Sequence, residues 1–159
     1  MSYETHYYAS YPADGGLIAT ILSMMGVIIF VSMILAILMI VSLWRVFKKA
    51  GEEGWKAIIP FYNQYTLYKI VWDTKYFFVT LALIVVLWLS LWLTSLTSIF
   101  MILYLACLLA LVVIQIKATH KLSKSFGHGG GFTVGLIFLS VVFIPMLGFG
   151  TSQYQGKPD

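Results

Sequence analysis

The sequence contains one uncharged stretch that is too long for the interior of a soluble protein. From Tyr76 to Ile116, 41 consecutive positions hold no Asp, Glu, Lys, Arg or His. A helix that crosses a bilayer takes about 20 apolar residues, so this stretch has the length of two crossings. Small polar residues cluster at its middle, at Thr94, Ser95, Thr97 and Ser98. We therefore predict a membrane hairpin of two helices, 76–93 and 99–116, joined by a tight turn.

Two further uncharged stretches extend this pattern to four crossings. Residues 17–43 and 132–149 contain 27 and 18 positions without a charged side chain. The sequence thus predicts an all-α integral membrane protein with four transmembrane helices in one domain, 17–149, between the tails 1–16 and 150–159. Gly131 and Gly135 have the GxxxG spacing that lets helices approach closely. Pro145 is expected to kink or end the last helix, because proline has no N–H to donate.

The composition agrees with a membrane protein. Of the 159 residues, 60% are hydrophobic and 10% are charged, whereas soluble domains carry about 25% charged residues. The net charge of +4 does not indicate nucleic acid, because the basic residues lie beside the apolar stretches; the predicted partner is the lipid bilayer. Cys107 is the single cysteine, so no internal disulfide can form.

The basic residues predict the orientation. Six of the ten Lys and Arg lie in the loop 44–75, and three more lie in the loop 117–131. Cytoplasmic loops keep an excess of these residues, so both loops are predicted to be cytoplasmic and both tails extracytoplasmic, that is, N-out and C-out. Lys121 and Lys124 precede the glycine-rich segment 127–131. This region is interpreted either as a flexible connector or as a contact for lipid headgroups.

The loop 44–75 has an unusual pattern of polar and aromatic residues. Asn63, Thr66, Lys69 and Asp73 recur at steps of three, three and four. This spacing is typical of an amphipathic helix lying in the membrane interface, between the first and second crossings. Its aromatic residues form either an anchoring collar or a ligand groove. The candidate binding residues are Trp55, Pro60, Tyr62, Asn63, Tyr65 and Lys69.

Few residues favour catalysis, metal binding or transport. The three histidines are His6, His120 and His128, and the predicted topology puts His6 on the opposite side from the other two, so no metal site is predicted. Ser123 and Lys124 are the residue types of a Ser–Lys dyad, but such a dyad needs a desolvated lysine, and we expect these lysines to be solvated. None of the apolar stretches contains an ionisable group, which argues against a proton-coupled transporter. No cofactor is predicted.

Two motifs carry a resemblance to a known family. The segment from Ala50 to Asn63, AGEEGWKAIIPFYN, is similar to the AGxxGWxAxIPxYN signature of small bacterial and archaeal membrane proteins of unknown function. The residues from Ser123 to Gly127 and from Pro145 to Gly150 resemble a second signature, and together the resemblance spans 17–155. Some members carry the name signal peptidase I in automated annotation. Relatives often have proline where this chain has Leu139-Ser140, so the resemblance implies a straighter fourth helix here.

These observations favour a non-enzymatic accessory or scaffold protein in the cytoplasmic membrane of a prokaryote. Its expected partner is another membrane protein or a second copy of the chain. A channel or a transporter of lipids or small molecules is the first alternative. A membrane protein related to signal peptidase I is the second.

Overall fold

The computed structural model describes residues 13–94 and 97–158, and every regular element in these ranges is helical. The elements in chain order are α1 (Ala13–Lys49), a 3₁₀ helix (Gly54–Ala57), α2 (Pro60–Val71), α3 (Lys75–Leu93), α4 (Ile99–Ser125), α5 (Gly130–Phe138) and α6 (Ser140–Phe149). The predicted all-helical class is therefore confirmed. The chain divides into two compact units, Met1–Ile37 and Leu38–Asp159, and all the contacts described below lie within the second.

Three helices in the described ranges are long and apolar enough to cross a membrane. They are the Gly16–Lys49 part of α1, together with α3 and α4. Their most apolar stretches are almost entirely exposed, as lipid-facing helices are, because hydrocarbon solvates apolar side chains. The predicted spans 17–43, 76–93 and 99–116 fall within these helices, and α4 continues nine residues beyond its predicted end. The N-terminal residues 1–12 and the turn residues 95 and 96 lie outside the described residues.

Glycines end α1 and α4 in the same way. Gly51 and Gly127 have φ angles of 79° and 75°, a left-handed conformation that glycine adopts without the penalty of a Cβ. In each case the glycine N–H donates to the carbonyl three residues earlier, and the next N–H donates to the carbonyl five residues earlier. This is the Schellman pattern, and it satisfies carbonyl groups at the end of a helix. α1 therefore ends just before Gly51, six residues beyond the predicted span 17–43.

The stretch 132–149 forms two short helices and not one continuous helix. The break is at Leu139, with φ −129° and ψ 43°. Gly135 of α5 lies so close to Phe143 of α6 that a Cβ on the glycine would overlap the phenylalanine ring. In a continuous helix these residues would be about 12 Å apart along the axis, so α5 and α6 must fold back on each other as a hairpin. The prediction of a single helix, straighter at Leu139-Ser140, is wrong, and Pro145 lies inside α6.

The C-terminal segment 150–158 lies against the ends of α2 and α4. The Tyr154 hydroxyl donates to the Ile70 carbonyl at 2.6 Å, and the Gln155 N–H donates to the Ser125 carbonyl at 2.7 Å. The prediction that this tail lies across the membrane from the loops 44–75 and 117–131 is therefore wrong. Segments joined by hydrogen bonds cannot lie on opposite sides of a hydrocarbon layer about 30 Å thick.

A small apolar core holds these segments together. We call it the junction core, and it consists of Val46, Phe47, Ala57, Ile70, Val71, Leu122, Phe126, Leu136 and Leu147. Its members come from the last turns of α1 and α4, from α2, α5 and α6, and from the 3₁₀ helix. The loops that the sequence placed on the cytoplasmic side therefore form a packed unit with their own core.

Candidate functional site

An ion-pair network ties the segment after α1 to α2. The Glu52 carboxylate accepts hydrogen bonds from Lys56 at 2.7 Å and from Lys69 at 2.6 Å, and its side chain is only 12% exposed. These hydrogen bonds hold the pKa of Glu52 below its ordinary value, and the bond to Glu52 raises the pKa of Lys56. Lys69, a candidate ligand-binding residue, is thus paired within the chain.

Three of the candidate binding residues form a row of aromatic rings. The ring centroids of Trp55 and Tyr62 are 5.5 Å apart, and those of Tyr62 and Tyr65 are 5.8 Å apart. The row ends on Phe77 of α3, in edge contact with Tyr65 at 5.6 Å. Trp55 and Tyr62 are 43% and 41% exposed, so the row continues from the half-buried contact of Tyr65 with Phe77 to the outer surface.

Pro60 and Asn63, the remaining candidates, have local structural roles. Pro60 is at the start of α2, where its missing N–H costs no helical hydrogen bond, and Ile59 before it is extended. The Asn63 side-chain amide donates to the Ala57 carbonyl at 3.4 Å and so joins α2 to the 3₁₀ helix. Neither contact prepares these side chains for a ligand.

α2 turns part of its predicted polar face inward. Thr66 is 1% exposed, and its hydroxyl donates to the Tyr62 carbonyl one turn earlier, which makes burial of the hydroxyl inexpensive. Phe61, by contrast, is 71% exposed. The predicted amphipathic arrangement is therefore wrong at Thr66. Phe61 belongs to a group of exposed aromatic and aliphatic residues at the start of α2 and in the segment before it. We call this group the aromatic surface, and it consists of Trp55, Ile58, Ile59, Phe61 and Tyr62.

Lys49 fastens the end of α6 to the end of α1. Its ammonium group donates to the carbonyls of Leu147 and Gly150, each at 2.7 Å. A cation at the C-terminus of a helix also meets the negative end of the helix dipole. Gly148 packs beside it, where a Cβ would come within 2.6 Å of the Ser42 carbonyl oxygen. The sequence placed Lys49 only as a topology signal and did not predict this contact.

The two lysines predicted to bind lipid headgroups differ in their surroundings. Lys121 donates to the Pro158 carbonyl at 2.9 Å and lies over the Trp72 ring, whereas Lys124 is exposed. Ser123, the other member of the Ser–Lys pattern, is fully buried and donates to the Gly129 carbonyl at 3.0 Å. The structure does not bring Ser123 and Lys124 together as a dyad, since one is buried and the other faces outward.

The glycine-rich segment is held by α4, α5 and the tail. His128 stacks on Phe132 at 4.1 Å between ring centroids, and its Nε2 is 2.8 Å from the Ser152 hydroxyl. His120 Nδ1 is 3.1 Å from the Thr133 hydroxyl. The sequence did not predict the contact between His128 and the tail, because Ser152 belongs to no motif. Among the residues that the structure describes, no three His, Cys, Asp or Glu side chains converge as a metal site.

Only one glycine of the predicted GxxxG pair is a packing position. Gly135 receives the ring of Phe143 within the α5–α6 hairpin. Gly131 is exposed, and a Cβ built there would meet nothing within 4 Å. Packing of Gly131 against another helix stays a prediction, since within this chain the close approach occurs one turn further along α5 and involves the side chain of Phe143.

A cavity of about 240 Å³ lies between α2, α3 and α4. We call it the α2–α4 cavity, lined by Phe61, Gln64, Tyr68, Phe77, Thr80, Leu81, Ile84 and Gln115. The Thr80 hydroxyl donates to the Tyr76 carbonyl at 2.8 Å. The Tyr68 hydroxyl, 3.1 Å from that of Thr80, must therefore be the donor between the two. The sequence did not predict this cavity, because its lining residues come from three different helices. Gln115, near the end of an otherwise apolar stretch, gave no sign of it by itself.

Comparison with known proteins identifies a family but no activity. Residues 55–157, about two thirds of the chain, match a family of unknown function, DUF5684. The match agrees with the uncharacterised family expected from the sequence. No curated protein and no solved structure matches the chain.

Proposed function

We propose that this chain, which belongs to the DUF5684 family of unknown function, is a non-enzymatic accessory or scaffold protein of the prokaryotic cytoplasmic membrane. The aromatic surface carries the proposal. Its five residues are between 41% and 71% exposed, although the segment beneath them is fixed by the junction core and by Glu52. A rigid apolar surface beside membrane helices is suited to contact with another membrane protein or a second copy of this chain.

The same proposal includes an orientation. Three helices would cross the membrane, the α5–α6 hairpin would enter it and return, and the N-terminus would lie outside. The support is the distribution of the ten Lys and Arg residues, of which six lie in 44–75, three lie in 117–124 and one is Lys157. Lys157 adjoins Pro158, whose carbonyl accepts a hydrogen bond from Lys121. With the tail on the cytoplasmic side, every basic residue would follow the positive-inside rule.

The absence of catalysis is also part of the proposal. A relation to signal peptidase I would require Ser123 as nucleophile, but its buried hydroxyl donates to the Gly129 carbonyl. Replacing Ser123 and Lys124 by alanine is therefore expected to leave any peptide processing in the host cell unchanged.

In-cell photo-crosslinking tests the accessory function. A photoreactive phenylalanine at Ile58, which is 55% exposed on the aromatic surface and does not line the α2–α4 cavity, should give one discrete protein adduct, or a dimer of this chain. The matched control is the same group at Val142 of α6, which is 56% exposed and lies outside the aromatic surface. Lipid adducts alone at Ile58, or the same protein adducts at both positions, would refute the proposed role.

A lipid- or small-molecule-handling role is the second candidate, because the α2–α4 cavity opens beside two candidate membrane-spanning helices. Flux of lipid or solute in vesicles reconstituted with the purified protein would support this candidate. Protein-free vesicles provide the baseline, and flux equal to that baseline would count against it.

A further inference from the structure

The α2–α4 cavity is open sideways, toward the region that lipid would occupy. Two residues on its α3 side, Leu81 and Ile84, are 38% and 39% exposed. The cavity shares Phe61 and Phe77 with a shallower groove that runs along Tyr62 and Tyr65. A flexible apolar chain could therefore enter from the side without any movement of the helices.

Two side-chain amides on the lining of the cavity are free to bind a ligand. Among the described residues, Gln64 and Gln115 make no side-chain hydrogen bond. The two hydroxyls of the cavity have already donated their protons, from Tyr68 to Thr80 and from Thr80 to a backbone carbonyl. The amide N–H groups are thus the available donors, and they select a ligand that carries a hydrogen-bond acceptor.

The position of Gln115 along α4 indicates the depth of this donor in the membrane. It precedes Lys117 by two residues and Lys121 by six, which correspond to about 3 Å and 9 Å along the helix axis. Lysines at the end of a membrane helix extend toward the headgroups. Gln115 then lies just below the headgroups, at the level of the ester groups of phospholipids, and away from the centre of the bilayer. Gln115 is exposed on α4, so its side-chain amide can donate a hydrogen bond to a lipid at that level.

We propose that the α2–α4 cavity is a binding site for one phospholipid, which places the start of an acyl chain between Phe61, Phe77 and Ile84. The ester carbonyl of that chain accepts a hydrogen bond from the side-chain amide of Gln115, with Gln64 at the same opening. The cavity is mainly apolar with a small number of polar groups, as sites for amphipathic ligands are. This inference does not depend on a protein partner at the aromatic surface.

Native mass spectrometry of the full-length protein in detergent tests the proposal. The probe is an equal mixture of two phosphatidylglycerols with the same chain length, one ester-linked and one ether-linked. We expect one retained lipid, with the ester form preferred by about 3- to 10-fold, the range of one hydrogen bond. Gln115→Leu should retain lipid and lose this preference. Equal retention of both lipids by the wild type would overturn the proposal.

A second pair of variants tests the location without removing a polar group. Ile84→Trp fills the cavity and should abolish lipid retention. Val85→Trp adds the same ring at the next position of α3, which is 52% exposed and does not line the cavity, and should retain lipid as the wild type does. Circular dichroism checks that both variants are helical. Equal retention by the two variants would show that the lipid binds elsewhere.

Discussion

Replacing Lys49 by methionine should release the end of α6 and the tail that follows it. The lysine donates two charge-assisted hydrogen bonds, to the carbonyls of Leu147 and Gly150, each at 2.7 Å. A hydrogen bond to a charged group contributes about 1.5–3 kcal/mol, so two bonds give an upper range of about 3–6 kcal/mol. Lys49 is only half-buried and borders an open groove along Thr151–Tyr154, so water can replace part of the loss. We therefore expect the variant to lose about 2–4 kcal/mol of local stability.

Hydrogen exchange measures this local loss directly. The N–H of Gln155 donates to the Ser125 carbonyl of α4, so this amide is protected only while the tail is docked. The N–H of Gly150 donates to the Met146 carbonyl, so this amide is protected only while the last turn of α6 is intact. A loss of about 2–4 kcal/mol corresponds to exchange that is roughly 30- to 800-fold faster when the exchange rate is set by the equilibrium population of the open state. Global unfolding is not required, which suits a membrane protein whose thermal unfolding is often irreversible.

Lys48→Met is the matched control for this experiment. It removes the same charge from the same helix end, but Lys48 is exposed and only lies over the Trp44 ring at 5.9 Å. We expect less than a threefold change in exchange at Gly150 and Gln155, since an exposed contact of this kind contributes at most about 0.5–1 kcal/mol and lies away from the tail. Equal acceleration by the two variants would mean that net charge matters and that the two carbonyl contacts do not.

Three further predictions test other parts of the structure. Gly135→Val should disturb the α5–α6 hairpin, because its side chain would overlap Phe143 and cost about 1–3 kcal/mol. The apparent midpoint of thermal unfolding at one fixed heating rate should therefore fall, and an unchanged midpoint would contradict the packing. Glu52→Gln should destabilise the protein at pH 7. Because the folded pKa of Glu52 is lowered, its contribution is present above the unfolded value near 4.5 and is lost as the pH falls through the folded pKa. The midpoints of wild type and variant should therefore begin to converge below about pH 4.5 and coincide once the pH is below the lowered folded pKa, and a constant difference would contradict the ion pairs. Gln153→Cys in a Cys107→Ala background should react with a membrane-impermeant maleimide in inverted vesicles and not in intact cells; the reverse result would refute a cytoplasmic tail.

The parts of the fold that were predicted correctly depend on the hydropathy of long stretches or on residues that are close together in the sequence. The helices α1, α3 and α4 were found because a long run of uncharged residues is typical of a helix surrounded by lipid and rare in a soluble domain. The end of α1 also has a local cause, because Gly51 adopts the left-handed conformation that a Schellman motif needs. In both cases the cause lies in residues that are neighbours in the sequence.

The parts that were missed depend on contacts between distant residues. Tyr154 and Ile70 are 84 positions apart, and no local pattern indicates that a hydroxyl in a polar tail meets a carbonyl of α2. The inward position of Thr66 was missed for a related reason. A spacing of three and four identifies a helix face, but the surrounding elements decide whether that face meets water or the interior. Among the candidate binding residues, Trp55 and Tyr62 are exposed, while Lys69 forms an ion pair with Glu52 that the sequence did not predict.

The stretch 132–149 shows why hydropathy alone cannot distinguish a crossing from a re-entrant hairpin. Eighteen apolar residues satisfy either arrangement, and the difference lies in what the polar residues on each side contact. If 132–149 crossed the membrane, the carbonyls at the end of α6 would lie at the opposite membrane surface, away from Lys49. Lys157 would then be the only basic residue on that side. The hairpin instead returns those carbonyls to the Lys49 ammonium group and brings the segment containing Lys157 back to the other nine basic residues. Both the hydrogen-bonding requirement of the helix end and the charge bias across the membrane therefore favour the same topology.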